Sequence, residues 1–510
     1  MANATLKTSP TSAGARAPLR KNMLGFPALL AQSIALISPT MTAVLIIPLA
    51  FSNAGQGTWL AYAFGTVMLL FVVFCLNQFA RRSASAGSMY TYTARGLGPA
   101  TGVLSGWTLI WCYLFIGIAG LSGFAVFAAQ FLSAVHLAVP PPVVLFAISA
   151  VICWYIAFKD IRVSSILTLV LECLSVACIL SLAAIVLFKH GFTVDTTQLK
   201  LTGLSVHGLS LAVVACIFSL VGFESATTLG GEARNPLRNV PRAVIWSLIL
   251  TGLFMVVMGY VEVFGTRHYG TSLGSIAAPL NVISRLYGVP AFRIPLSLGA
   301  MVSFFSLTLS CLNAGARIIY PMGQHRVFPR RLGTVHPRNG TPHVAITAYI
   351  VLMFAVPAVL AIFTDPLTTF GDAGTLAAFG FLLAYFLITI AAPRYLAKRG
   401  ELRPRHLVIA AIAILCLLVP TLGSFYPVPS WPVNIFPYIF LGYMLVGGAW
   451  LFTVSRRQRG ILGEIEDDLE ATLEEHEQRV AERAEPSAVA AAAGPADGTL
   501  GLGLAGGAAD

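Results

Sequence analysis

The feature that most constrains this chain is a succession of apolar runs. Each approaches the roughly twenty residues a helix needs to cross a hydrocarbon layer about 30 Å thick. Twelve lie near residues 25–50, 58–79, 98–131, 143–158, 164–188, 208–229, 242–265, 294–320, 343–363, 370–393, 406–423 and 432–454. Backbone in lipid must satisfy its own hydrogen bonds, so runs of this length fold as helices. Composition agrees, with 57% of 510 residues hydrophobic and only 10% charged, against roughly a quarter charged in soluble domains. The expected fold class is an all-α polytopic membrane protein of about twelve transmembrane helices.

Charge placement gives the expected orientation. One set of connecting segments carries Arg81, Arg82, Arg95, Lys159, Arg162, Arg234, Arg238, Arg242, Arg326, Arg330, Arg331, Arg338 and a basic cluster from Arg394 to Arg405. The opposite set holds only Lys189, Lys200, Arg267, Arg285 and Arg293. Lys and Arg accumulate on the cytoplasmic side, which puts the first set and both termini inside, in the cytoplasmic membrane. The net charge of +11 therefore reports topology, and no motif points to nucleic acid. All eight cysteines fall inside apolar runs without CxxC spacing, so neither a disulfide framework nor a metal cluster is indicated.

Four segments follow from this pattern. Residues 1–24 form a polar cytoplasmic tail without the apolar core of a signal peptide, and 25–455 hold the helices. Residues 456–485 form a charged cytoplasmic helix with Leu462, Ile465, Leu469 and Leu473 at helical spacing. Residues 486–510 are Ala/Gly-rich and too poor in large apolar side chains to order.

Two spans carry interruptions that a plain membrane anchor does not need. The first reads Ser38-Pro39-Thr40-Met41-Thr42-Ala43 near its middle; the sixth reads Phe218-Ser219-Leu220-Val221-Gly222-Phe223-Glu224-Ser225. Proline removes a backbone donor, and hydroxyls can satisfy freed carbonyls. Alone, Pro39 is a kink and Gly222 a packing notch. Together, five spans apart, they fit two inverted five-helix repeats, each opening on a discontinuous helix whose unwound backbone holds a small polar ligand. Ser38, Pro39, Thr40, Met41, Thr42, Ala43, Phe218, Ser219 and Gly222 are accordingly the candidate substrate-binding residues.

At these residues the sequence resembles the amino acid–polyamine–organocation transporter superfamily, in particular bacterial amino acid permeases. Gly222-Phe223-Glu224-Ser225, Gly231-Glu232-Ala233-Arg234-Asn235-Pro236 and Val240-Pro241-Arg242-Ala243 carry the resemblance. Ala86-Gly87-Ser88-Met89-Tyr90, Asn313-Ala314-Gly315-Ala316-Arg317 and Gly380 to Tyr385 support it. It covers residues 25 to about 455. It implies a five-plus-five inverted-repeat fold with discontinuous helices one and six, two further helices, and secondary transport of amino acids or related amines. It also implies that Phe218 is an aromatic gate over the substrate and Glu224 the conserved-type glutamate of helix six. Aligned on Pro48, the family's Gly-Ser-Gly falls on Met41, Thr42 and Ala43, so both glycines are replaced and Thr42 remains as a hydroxyl contact.

An ionisable residue at the centre of a membrane helix costs about 2.5–3.5 kcal/mol on insertion scales. Glu224 and Glu172 are the clearest cases and the candidates for coupling and gating, with protons as the coupling ion. A structural hydrogen bond is the alternative for each. Glu262 is expected at the outer interface. Ser303, Ser306, Thr308 and Ser310 punctuate span eight and read as interhelical contacts; Arg317 closes that span as a carbonyl cap or gate. No motif calls for a cofactor or metal, and no HExxH or GxSxG suggests an enzyme. No charge ring or filter sequence suggests a channel. An exchanger, an amine carrier without proton coupling, or a transport-inactive nutrient receptor are the competing readings.

Overall fold

The computed structural model describes residue 19 and residues 22–468, apart from 84–86, 160, 268, 277, 427, 429 and 459. The expected stretches before residue 19 and from 469 to 510 lie outside them. Among the described residues eleven helical runs are long and apolar enough to cross a membrane. The first, Phe26–Ala80, holds 55 residues, about 80 Å as a straight helix. It folds at the short turn Gly55–Gly57, where Gly55 adopts φ +51°, and so supplies two crossings. The twelve spans are 26–54, Thr58–Ala80, Pro99–Ala134, Pro142–Lys159, Ile161–Lys189, Val206–Glu232, Pro236–Thr266, Arg293–Gln324, His343–Leu360, Pro366–Lys398, Pro404–Gly423 and Phe436–Arg457.

Contacts between spans follow the expected repeat. Span 1 crosses the broken part of span 6, span 2 packs on span 7, span 3 on span 8, and span 4 on span 9. The pairing of span 10 with span 3 is mirrored by span 5 with span 8, and that of span 1 with span 7 by span 6 with span 2. Short helices match as well: Met89–Leu97 follows span 2, and Pro279–Leu286 follows span 7. Each of these span pairs is related to another, or to itself, by exchanging span n with span n+5. Spans 11 and 12 lie outside this relation, against spans 2, 6 and 10 and against spans 3 and 10.

Burial sorts the spans by role. The most apolar windows of spans 3 and 8 are 78% and 72% buried, those of spans 11 and 12 only 22% and 17%, so spans 3 and 8 form the centre. Close approach there depends on small residues: a Cβ on Gly120 would stand 2.4 Å from Thr308 Oγ1. Large apolar side chains such as Val151, Leu253, Val351 and Leu415 are exposed on the outer faces. In a membrane that surface meets lipid tails.

Both ends of the bundle are tied. At one end the Asp195 side chain caps the short helix Thr196–Leu199 and pairs with Arg267 of the loop after span 7. At the other, Met23 and Leu24 N–H donate to the Glu232 carbonyl at 2.9 and 3.1 Å, and Arg234 N–H to Leu24 O at 2.7 Å. The start of the charged C-terminal segment, 461–468, is helical and docks there with Ile461 and Ile465 buried. His325 bridges Tyr90 and Asp468, and its hydrogen bond holds the Asp468 carboxyl below the usual carboxylate range.

Candidate functional site

Span 1 breaks where its sequence loses helix-forming capacity. The helix Phe26–Ile37 ends on Ser38, which adopts the left-handed φ 50°, ψ 73°. For a residue with a Cβ this costs about 1–2 kcal/mol. Pro39, which has no N–H to lose, restarts a short helical turn, Pro39–Met41, followed by a wide π turn, Thr42–Ile46. The expected interruption is therefore present. Its sharpest point is Ser38, three residues before Met41.

Span 6 breaks at the same crossing. The helix Val206–Leu220 ends on extended Val221, Gly222 takes φ +101°, and the chain continues as a 3-10 helix, Phe223–Thr228. Only glycine adopts that conformation cheaply, and a Cβ there would also stand 2.1 Å from Leu36 Cδ2 of span 1. Side chains and backbone from the two broken spans interlock. Ser33 Oγ donates to Phe223 O at 2.7 Å and accepts from Ala226 N–H at 3.0 Å, and Gln32 Nε2 donates to Ser310 O of span 8 at 2.9 Å.

The structure gives the two candidate carboxylates distinct shells, both without solvent access. Glu224, just past the second break, accepts from Tyr113 Oη of span 3 at 2.9 Å, Tyr385 Oη of span 10 at 2.7 Å and Gly222 N–H at 3.2 Å. Phe223 stacks on Tyr385 with centroids 5.1 Å apart. Tyr113 and Tyr385 were not among the candidate residues; their signal was a phenol within each of two apolar spans, each needing a partner once buried.

Glu172 of span 5 accepts from Thr40 N–H at 3.4 Å, Thr40 Oγ1 at 3.1 Å and Ser303 Oγ at 2.5 Å. Thr40 Oγ1 also meets Ser175 Oγ at 2.8 Å, and Ser38 Oγ meets Ser303 Oγ at 3.1 Å. The carboxylate thus accepts the first N–H of the turn that restarts at Pro39, an end of a helical segment that favours negative charge. It joins the first break to spans 5 and 8. Ser303 belongs to this cluster, whereas Ser306 donates to Thr168 O of span 5 and Thr308 to Phe304 O in its own helix.

The remaining candidates surround the breaks. Met41 and Ala43 are buried, and Thr42 Oγ1 is buried without a hydrogen-bond partner among the described residues. Ser219 Oγ donates to Ala215 O of its own helix at 3.0 Å. Phe218 lies against Gly374 of span 10.

Below the breaks, Arg317 and Glu232 form a fully buried bidentate pair, Nε to Oε2 at 2.5 Å and Nη2 to Oε1 at 3.2 Å, and Arg317 Nη1 donates to Asn313 O at 3.2 Å. Arg317 thus caps a carbonyl and also clamps the C-terminal end of span 6 to span 8. Glu262 departs from the interfacial placement expected of it. It is 0% exposed, and neither carboxyl oxygen has a hydrogen-bond partner among the described residues. The C-terminal end of span 7 is roofed by Pro279–Leu286, with Ile283 against Gly265, a cover that hydropathy along span 7 does not reveal.

The family model described as amino acid permease matches residues 29–456. The chain is 23% identical over 427 residues to the branched-chain amino acid permease BcaP of Bacillus subtilis, covering 79% of this chain and 87% of that one. It is 25% identical to the low-affinity putrescine importer PlaP of Escherichia coli, over 63% of this chain and 71% of the other. Against cationic amino acid transporter 4 of Mus musculus the identity is 28%, over 68% and 56%.

Proposed function

The chain belongs to the amino acid permease family, and on that premise we propose that it is a proton-coupled secondary transporter of amino acids or related amines. It works by alternating access in the cytoplasmic membrane, with both termini inside. The observation that carries this reading is the Glu172 cluster. A carboxyl caps the restarted helix of span 1 and at the same time binds span 8 through Ser303.

Ionised, Glu172 accepts from Thr40 and Ser303 and holds the break closed. Protonated, it loses the charge that favours the helix N-terminus and one acceptor position. Loading a proton therefore loosens the contact between span 1 and span 8, and releasing it restores that contact. The substrate sits between the breaks. Its polar groups meet Thr42 and the backbone at 38–40 and 221–222, and Phe218 lies at the border with span 10. Glu224, held by Tyr113 and Tyr385, ties the second break to spans 3 and 10, so movement of span 6 is passed to the centre of the bundle. Relatives named for branched-chain amino acids, putrescine and cationic amino acids bracket the substrate class.

The all-oxygen shell of Glu172, with Ser38, Thr40, Ser175 and Ser303, supports a second reading in which sodium is the coupling ion. One experiment separates them. Purified protein in proteoliposomes is offered radiolabelled amino acids and diamines under a proton or a sodium gradient, alongside Glu172→Gln. Proton coupling predicts accumulation under the pH gradient, lost in Glu172→Gln while equilibrium exchange persists. Accumulation driven by sodium alone supports the second reading. Normal, pH-dependent accumulation in the variant would overturn the role given to Glu172.

A further inference from the structure

At the basic end of the bundle, the loop after span 8 and the end of span 12 enclose a cavity of about 560 Å³ whose lining includes Arg326, Arg330, Arg457, Gln458, Trp450 and Glu464. Three guanidinium groups converge there against one carboxylate. Glu464 reaches Arg326 at 3.8 Å, and no ion pair engages Arg330 or Arg457 among the described residues. The cavity is fixed by a hydrogen bond from Trp450 Nε1 to Val327 O at 2.9 Å.

Its two ends differ in chemistry. Trp450 lies seven residues before Arg457 on span 12, about 10 Å deeper along the helix. Beyond Trp450 the same span exposes Leu445 and Val446. A tryptophan at the boundary between a basic mouth and an exposed apolar face marks headgroup depth in a bilayer. A basic pocket between spans at that depth suits an anionic headgroup, and the apolar face below it suits acyl chains. A free inorganic anion would use only the mouth.

We propose that this cavity is a binding site for an anionic phospholipid, with the phosphate held by Arg330 and Arg457 and the acyl chains running along span 12 past Trp450. The phosphate competes with Glu464 for Arg326, so an occupied site weakens the tie between the helix at 461–468 and the loop after span 8. Arg456 is outside the cavity, stacked on Phe452 at 4.3 Å.

The test uses the full chain in detergent, with native mass spectrometry counting bound lipid and a thermal shift read alongside. The probes are phosphatidylglycerol, phosphatidylcholine and inorganic phosphate. Phosphatidylglycerol is expected to bind roughly tenfold more tightly than phosphatidylcholine. Arg330→Gln with Arg457→Gln should abolish that preference and leave phosphatidylcholine binding and the melting temperature unchanged. Arg331→Gln with Arg405→Gln, at the same end but outside the cavity, should keep the preference. The proposal is overturned if the control pair loses it equally, if wild type shows no preference, or if inorganic phosphate displaces the lipid or stabilises the protein as well as the lipid does. A double variant that unfolds in phosphatidylcholine is replaced by Arg330→Lys with Arg457→Lys, which should retain the preference.

Discussion

Three buried carboxyls, Glu172, Glu224 and Glu262, have very different company. Glu224 is held by two phenols and an amide, so Glu224→Gln keeps the shape and part of the hydrogen bonding. Losing charge assistance there costs about 1–2 kcal/mol. We expect transport to fall by an order of magnitude or more while the melting temperature moves by only a few degrees; uptake and thermal melts on the same preparation check this. Normal uptake would make the carboxylate structural. Glu262 has no partner for either oxygen among the described residues, and an unsatisfied buried polar group costs about 1–3 kcal/mol. Glu262→Met should therefore raise thermal stability, and a drop would reveal a partner or water that satisfies the carboxyl. The sequence marked all three as costly, because a charge in an apolar run stands out. It could not separate them: whether a carboxyl is capped, paired or orphaned depends on residues far away in the chain, such as Tyr385, 161 positions from Glu224.

The two broken spans were legible as elements because proline, glycine and clustered hydroxyls write a break locally. Its exact place was less so, since Ser38 rather than a glycine takes the left-handed turn. That choice rests on tertiary support from Ser303 and on Thr40 held by Glu172. Gly222 is the more exacting position, because its φ and its distance to Leu36 both exclude a side chain. Gly222→Ala is expected to cost about 2–4 kcal/mol, combining the left-handed penalty with overpacking, and to abolish transport. Adding Leu36→Ala should relieve the clash and only part of the loss. Full rescue by that second change would show that space alone, and not backbone conformation, demands glycine.

For the whole molecule, span number and order came through the sequence almost intact, because lipid forces each helix to declare itself in hydropathy. The five-plus-five repeat was anticipated from the spacing of the two breaks and from the family resemblance, whereas the packing of span 2 on 7 and of span 3 on 8 was not. The roof over Glu262 and the docking of 461–468 were not anticipated, since short helices outside the apolar layer carry no such signal. Orientation rests on the Lys/Arg asymmetry. It predicts that single cysteines introduced as Arg234→Cys or Arg330→Cys in a cysteine-free background resist an impermeant thiol reagent on intact cells. Strong labelling there would invert the topology.

The Glu172 cluster also has an electrical consequence. A zwitterionic amino acid carries no net charge, so under the proposed coupling, in which a proton enters on Glu172 and leaves inside, each turnover would move one positive charge across the membrane. A potential of 100 mV is worth about 2.3 kcal/mol per charge, roughly fiftyfold in the attainable concentration ratio. Uptake of a neutral amino acid should then be driven by a potassium diffusion potential, inside negative, with pH equal on both sides, and solid-supported membranes carrying the protein should register an inward current when substrate is added. Accumulation indifferent to voltage would mean that the charge is compensated within the cycle, as in exchange of one substrate for another.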